Sequence, residues 1–306
     1  DCPDKESYYA LRYSHPEWLV HLLSEQFGLK MTERICQADN ADTPVSVRVN
    51  TLKVTPEDAK AELERAGLTV EPHRAFADIL LCTGGDAAAT EAFRAGRITV
   101  QDAASALAAF VADPKPGTTV LDCCAAPGGK SFAMAERMQG KGSLTSCDIY
   151  EHKLKRIQEG AARLGLPNIR TELQDASAFR KEWAESADTV LCDVPCSGLG
   201  IIRKKPETRY KDPDEIALLP ALQSAILENC ARYVKPGGTL IYSTCTILQR
   251  ENEDVVRAFL TAHSEFEAAG WSHPVCGERA DGMVTLLPPE HDTDGFFIAK
   301  LKRKAL

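Results

Sequence analysis

From Thr118 onward, five apolar runs of strand length ("TTVLDCC", "GSLTSCDI", "NIRTEL", "DTVLCDV" and "GTLIYSTC") alternate with segments of helical pattern that start near Gly129, Tyr150, Ala178 and Asp214. Strands separated by helices are joined by crossovers rather than tight hairpins, which predicts a doubly wound, mostly parallel sheet of the Rossmann-like α/β class, covered on both faces. Such sheets bind ligands outside the carboxyl ends of their strands, where the strand order reverses. The last residues of each run therefore carry the functional information. A further strand, "DGFFIAKLKR", closes the pattern.

The first hundred residues have another texture. "HPEWLVHLLSEQF" (15–27) places Trp18, Leu19, Leu22, Leu23 and Phe27 at helical spacing, whereas "PVSVRVNTLK" alternates like a strand. Thr55 to Gly67 reads as a helix, with a cap at Thr55, proline at the first helical position and a closing glycine. Short strands near 68–73, 78–82 and 97–100, then the helix "QDAASALAAFVAD", lead into "PKPG". This predicts a small α+β unit over 1–113 and an α/β domain over 114–306.

No apolar run approaches the roughly 20 residues that span a bilayer, and the opening segment lacks the apolar core of a signal peptide, so a cytoplasmic protein without membrane attachment is expected. Six of the eleven cysteines (Cys82, Cys123, Cys124, Cys147, Cys192 and Cys230) lie inside apolar stretches, the usage of small buried hydrophobes in a reducing compartment. Cys192 and Cys196 have a close spacing but no second pair, so no metal is expected. A monomer is expected. The net charge of −8 argues weakly against a nucleic-acid partner, yet "IIRKKPETRYK" gathers Arg203, Lys204, Lys205, Arg209 and Lys211 around a single Glu207.

At the strand ends, "DCCAAPGGKS" (122–131) supplies small residues and a glycine turn that opens a helix, without Walker or G-x-G-x-x-G spacing. Asp122, Asp148, Asp175 and Asp193 follow successive strands. Four acids on one rim fit a nucleoside cofactor with an amine end, S-adenosylmethionine more than a pyrophosphate. The fourth and fifth strands run into "DVPCSGLG" (193–200) and "STCT" (243–246), which brings Cys196 and Cys245 to the same rim. Either thiol alone would read as core; two converging on one site do not.

These motifs, with "SVRVNTLK" upstream and "DGFFIAKL" at the end, resemble the Sun/Nop-type RNA 5-methylcytosine methyltransferases over nearly the whole chain. "RYSHPEWLV" and "ITVQDAAS" point to a bacterial branch acting on small-subunit (16S) ribosomal RNA. The resemblance implies a class I S-adenosylmethionine-dependent methyltransferase domain preceded by an RNA-recognition subdomain; members of that branch often carry a further helical RNA-binding domain before the region corresponding to residue 1, which this sequence does not include. By the same resemblance, Cys124, Ala125, Ala126, Pro127, Gly128, Gly129 and Lys130 wrap the methionine part of the cofactor. Asp148 takes the ribose hydroxyls, Asp175 the adenine edge and Asp193 the region of the amino group. Cys245 is the nucleophile, Cys196 assists product release, and Lys130 sits near the cytosine or the cofactor carboxylate, with Asp193 beside the reaction. Arg48, Arg203, Lys204, Lys205 and Arg209 are expected to contact RNA. Competing readings are a tRNA or another rRNA site as substrate, Cys196 as the attacking thiol, and a non-catalytic RNA-binding assembly factor.

Overall fold

The parallel sheet forms as the alternating pattern requires. In the computed structural model, which describes residues 4–305, eight strands lie in one sheet. Its parallel centre comprises β5 (Thr119–Asp122), β6 (Ser143–Asp148), β7 (Ile169–Leu173), β8 (Ala187–Asp193) and β9 (Val234–Thr244), in the order β9-β8-β5-β6-β7. Order reverses between β5 and β8, which opens the crevice at their carboxyl ends. β14 (Phe296–Arg303) adds antiparallel to β9, and β10 (Phe266–Ala268) and β13 (Met283–Leu286) pair with its far side. The hairpin of β11 (Trp271–His273) and β12 (Gly277–Arg279) stands apart. The sequence pattern missed β10 to β13, because three- and four-residue strands leave no alternation to read.

One face of the sheet is covered by α6 (Ala103–Ala112), α7 (Gly129–Arg137) and α8 (Glu151–Leu164), the other by α9 (Pro213–Ala231) and α10 (Glu253–Ala262). Although the sequence reading grouped α6 with the first unit, its alanine-rich surface packs into the core of the large sheet. The helix expected near Ala178 is absent: only a short 3₁₀ turn, Lys181–Trp183, forms there. Phe179 instead stacks on Tyr233 at 5.7 Å, and the Tyr233 hydroxyl accepts the Arg180 N–H at 2.9 Å, so that backbone bonds to a side chain rather than to a helical carbonyl.

The α+β unit is a four-stranded antiparallel sheet in the order β2-β3-β1-β4, formed by β1 (Val45–Val49), β2 (Thr69–Pro72), β3 (Ile79–Thr83) and β4 (Ile98–Val100). It carries α4 (Pro56–Arg65), whose first turn is capped as read from sequence, with the Asp58 N–H donating to the Thr55 hydroxyl at 3.2 Å, and the short α5 (Glu91–Arg94). Polar contacts bolt this sheet to the large domain: Asn50 donates to the Leu164 carbonyl at 3.0 Å, and Arg163 to the Thr99 hydroxyl at 2.8 Å. The helices α1 (Lys5–Tyr13), α2 (Glu17–Phe27) and α3 (Leu29–Asp39) dock elsewhere. Leu19, Leu23 and Ile35 pack with Leu199, Ile202, Ile216, Ile247, Leu248 and Leu287 of the large domain, next to α11 (Pro288–His291). The ten cysteines within the described residues are free thiols, Cys2 lying outside them. No helix among the described residues is long and apolar enough to cross a membrane.

Candidate active site

Strand β5 ends at Asp122, and the chain turns through Cys123–Gly128 into α7. The Ala125 N–H donates to the Cys147 carbonyl at 2.8 Å, which fastens the turn to β6. Gly128, at φ 109°, lies where L side chains are rarely found, and a Cβ there would come within 2.6 Å of the Phe132 ring. No side chain among the described residues caps α7, so its first N–H groups face the crevice and favour an anionic group.

Beyond this turn, Asp148, Ile149, Tyr150, Asp175, Pro195 and Leu222 line a cleft of about 440 Å³ together with Cys123 and Cys124. Asp148 accepts the Tyr150 N–H at 3.0 Å, and the Lys153 ammonium lies 3.8 Å away. Asp175 is exposed and accepts both the N–H and the hydroxyl of Ser177, at 2.8 and 2.7 Å. Half-exposed Ile149, Tyr150 and Leu222 give the cleft apolar walls suited to a flat heteroaromatic ring. Acid at the strand end, apolar walls and a helix start without a side-chain cap suit a nucleoside-bearing ligand such as S-adenosylmethionine.

Asp122 sits under this turn with no exposure. It accepts the Ser131 hydroxyl at 2.6 Å through one oxygen, and the other has no hydrogen-bond partner among the described residues. Burial, with the nearby Asp193, pushes its carboxyl up to about 7 against the opposing Ser131 bond.

Across the switch point, β8 and β9 deliver the thiols. The Sγ atoms of Cys196 and Cys245 are 3.3 Å apart. Asp193 accepts the Lys130 ammonium at 2.7 Å and the Ser243 hydroxyl at 2.7 Å, and the Lys130 nitrogen also stands 5.2 Å from the centre of the Phe296 ring. The bond from the Cys196 thiol holds Cys245 below its ordinary value, against burial and Asp193, and Lys130 and Lys211 act in the same direction. Cys196 is pushed up by the same contact and by burial.

Residues that the sequence reading left out of the site hold these loops. Lys211 donates to the Ser197 carbonyl at 2.6 Å. Buried Glu251 accepts the Ser197 N–H at 2.9 Å and the Gln223 amide at 2.8 Å. The sequence signal for Glu251 is a polar "QREN" (249–252) directly behind a strand-end cysteine motif, which also reads as a helix cap, and Lys211 lies in the basic run that follows the Cys196 loop.

Four of the five residues expected to meet RNA are engaged internally. Arg48 is buried, paired with Glu136 and donating to Gln101 at 2.6 Å, so it fastens β1 to α7. Arg203 donates to Asp294 at 2.6 Å, and Lys204 bridges Asp102 and Asp294 at 2.7 and 2.8 Å. Arg209, also buried, bonds the Ser14 carbonyl and the Asn40 side chain, both at 2.9 Å. Lys205 is exposed. The run therefore holds the loop between β8 and α9 to four other segments, at Ser14, Asn40, Asp102 and Asp294.

Comparison with known proteins agrees with this geometry. The "Probable ribosomal RNA small subunit methyltransferase B" of Bacillus subtilis (strain 168) is 40% identical over 302 residues, covering 96% of this chain and 68% of that protein. The "Ribosomal RNA small subunit methyltransferase B" of Vibrio cholerae serotype O1 is 37% identical, covering 97% and 67%. The chain thus spans about two thirds of the length of these relatives. A methyltransferase homolog protein from Pyrococcus horikoshii superposes with a TM-score of 0.84 at 28% identity, covering 98% of this chain and 99% of that one. NSun6 from the same organism, solved with SFG, shares the fold with a TM-score of 0.80 at 21% identity over 98% of each chain. Residues 15–85 match the RsmF/B-like ferredoxin-like domain, and residues 109–302 match "16S rRNA methyltransferase RsmB/F". The chain accordingly belongs to the RsmB/F family of S-adenosylmethionine-dependent methyltransferases.

Proposed function

We propose that this protein methylates carbon 5 of a cytosine in small-subunit ribosomal RNA, with Cys245 as nucleophile and Cys196 as the thiol that assists release. The observation that carries the reading is the 3.3 Å contact between two strand-end thiols beside the Lys130–Asp193 pair. The names of the relatives support the RNA class.

Carbon 5 of cytosine is a weak nucleophile. Addition of the Cys245 thiolate to carbon 6 moves the electron pair of the C5–C6 double bond toward carbon 5, which can then take a methyl group. S-adenosylmethionine, which Asp148, Asp175, Asp193 and the 124–130 turn would hold, would supply that methyl group as an electrophile and leave as the neutral thioether S-adenosylhomocysteine. Elimination follows: a base removes the proton on carbon 5, the double bond re-forms, and the C6–S pair returns to Cys245. The Cys196 thiol, as hydrogen-bond donor, stabilises the departing sulfur. Lys130 supplies a neighbouring cation to the thiolate in a water-poor site, and Asp193 holds Lys130 in place. A base must leave its stack to reach this crevice, which favours single-stranded or loop RNA. The small antiparallel unit and exposed Lys205 extend the surface that receives it.

The test incubates wild type, Cys196→Ala and Cys245→Ala with S-adenosylmethionine and unmodified small-subunit ribosomal RNA, with tRNA in parallel, followed by a denaturing gel. Cys196→Ala should accumulate a covalent protein–RNA band. Cys245→Ala should form none and lose methyl transfer by roughly 10³-fold or more. The reversed pattern would make Cys196 the nucleophile, and adducts with tRNA alone would move the substrate.

A further inference from the structure

Glu251 has no exposure, yet it carries a carboxylate. Its Oε2 accepts the Ser197 N–H at 2.9 Å and the Gln223 amide at 2.8 Å, and the same amide reaches the Pro195 carbonyl at 3.0 Å. Its Oε1 accepts the Thr246 hydroxyl at 3.4 Å, which in turn accepts the Ser197 hydroxyl at 2.8 Å. The Glu251 carbonyl accepts the Tyr242 hydroxyl at 2.5 Å. Ser197 directly follows Cys196 and Thr246 directly follows Cys245, so one side chain is bonded to the segment behind each thiol.

The two carboxyl oxygens take three donors from three segments, which an amide could not do without turning one acceptor into a donor that faces another donor. Glu251 is also among the groups that raise the neighbouring Cys196 thiol, after the bond with Cys245 and burial.

We propose that Glu251 is a positioning residue for the two-thiol chemistry: it pins the segments behind Cys196 and Cys245 to one carboxyl group and so holds the two sulfurs in the geometry in which Cys245 attacks. The inference rests on the reading that Cys245 attacks. Glu251 touches neither substrate nor cofactor in this role; it acts through the two loops.

The experiment compares wild type, Glu251→Gln and Thr246→Val as full-length chains without RNA. Iodoacetamide labelling of each cysteine is followed by peptide mass spectrometry between about pH 6 and pH 10, the range in which thiols titrate. Wild type should label Cys245 ahead of Cys196. Glu251→Gln, which keeps the shape but turns one accepting oxygen into a donor and so breaks a link to one of the loops, should cut the preference for Cys245 about tenfold, the equivalent of one pH unit. Thr246→Val, which breaks one link, should shift the preference the same way by less. A Glu251→Gln protein with a cooperative melt and wild-type labelling would overturn the assignment, because a purely structural role changes stability and not the order of labelling. If Glu251→Gln does not fold, wild-type labelling in Thr246→Val overturns it. Cys196 labelling first in wild type would instead sink the nucleophile reading beneath it, an outcome the Cys196→Ala gel reports separately.

Discussion

On the β6–β7 side of the switch point, the side chains of Asp148 and Asp175 accept hydrogen bonds from groups two residues away, with Lys153 3.8 Å from Asp148, at the edge of an open cleft. On the β8–β9 side, Cys196, Cys245 and Asp193 are enclosed by Lys130, Ser243, Gln223, Glu251 and Thr246, drawn from four different segments. One half of the rim is left to be completed by what binds; the other is completed by the protein itself. Under the proposed function the difference follows from what each half does: a diffusible cofactor must enter and leave, whereas a sulfur that forms and breaks a covalent bond gains from being held in its reactive geometry beforehand.

The contrast can be broken most strongly on the enclosed side. Lys130→Met removes the cation next to Cys245 and leaves Asp193 bonded to Ser243 alone, so methyl transfer should fall roughly 10²-fold or more, and half-maximal alkylation of Cys245 should move to higher pH. An unchanged alkylation profile would show that the enclosure does not tune the thiol. On the open side, Asp148→Ala should weaken S-adenosylmethionine binding about tenfold by calorimetry, near 1.4 kcal/mol, while alkylation of Cys245 without cofactor stays at the wild-type profile. Coupled changes in both would erase the distinction between the halves.

The smallest effect concerns Asp122, on the strand between them. Its carboxyl titrates at about 7 in the fold against 3.8 as the ordinary value, so the folded state keeps a proton that the unfolded chain releases. That contribution to stability is complete below about pH 4 and is lost as the pH rises to about 7. An asparagine side chain at this position has no such proton to lose. The melting temperature of Asp122→Asn relative to wild type should therefore climb by a few degrees across that interval and level off above it; a flat difference would mean that Asp122 is ionised in the fold throughout.

Both cysteines and all four aspartates could be found in the sequence because a parallel sheet turns linear position into spatial position. The final residue of each apolar run lands on the same rim, whatever else the fold does. The basic segment offered no such shortcut. Asp102 and Asp294, which neutralise Arg203 and Lys204, lie about 90 to 100 positions away in sequence, and nothing in the local charge pattern announces them. Arg48 failed for a related reason. Alternation along β1 separates Val47 and Val49 from Arg48, but it cannot say that the second face is covered by α7. Glu251 was missed because its importance lies in whom it joins.

The docking of the first three helices bears on how the chain is made. Gln26 donates to the Ile247 carbonyl at 2.8 Å and accepts the Gln249 N–H at 3.1 Å, and Arg34 donates to the Pro289 carbonyl at 2.9 Å, spans of 221, 223 and 255 residues. During synthesis these helices emerge before the surface that receives them, and their apolar face of Leu19, Leu23 and Ile35 waits uncovered until the segments around Leu199, Ile247 and Leu287 have been translated. Ile247 stands two residues beyond Cys245. The segment that carries the Cys245 thiol is thus closed over by residues made about 220 positions before it, like a latch.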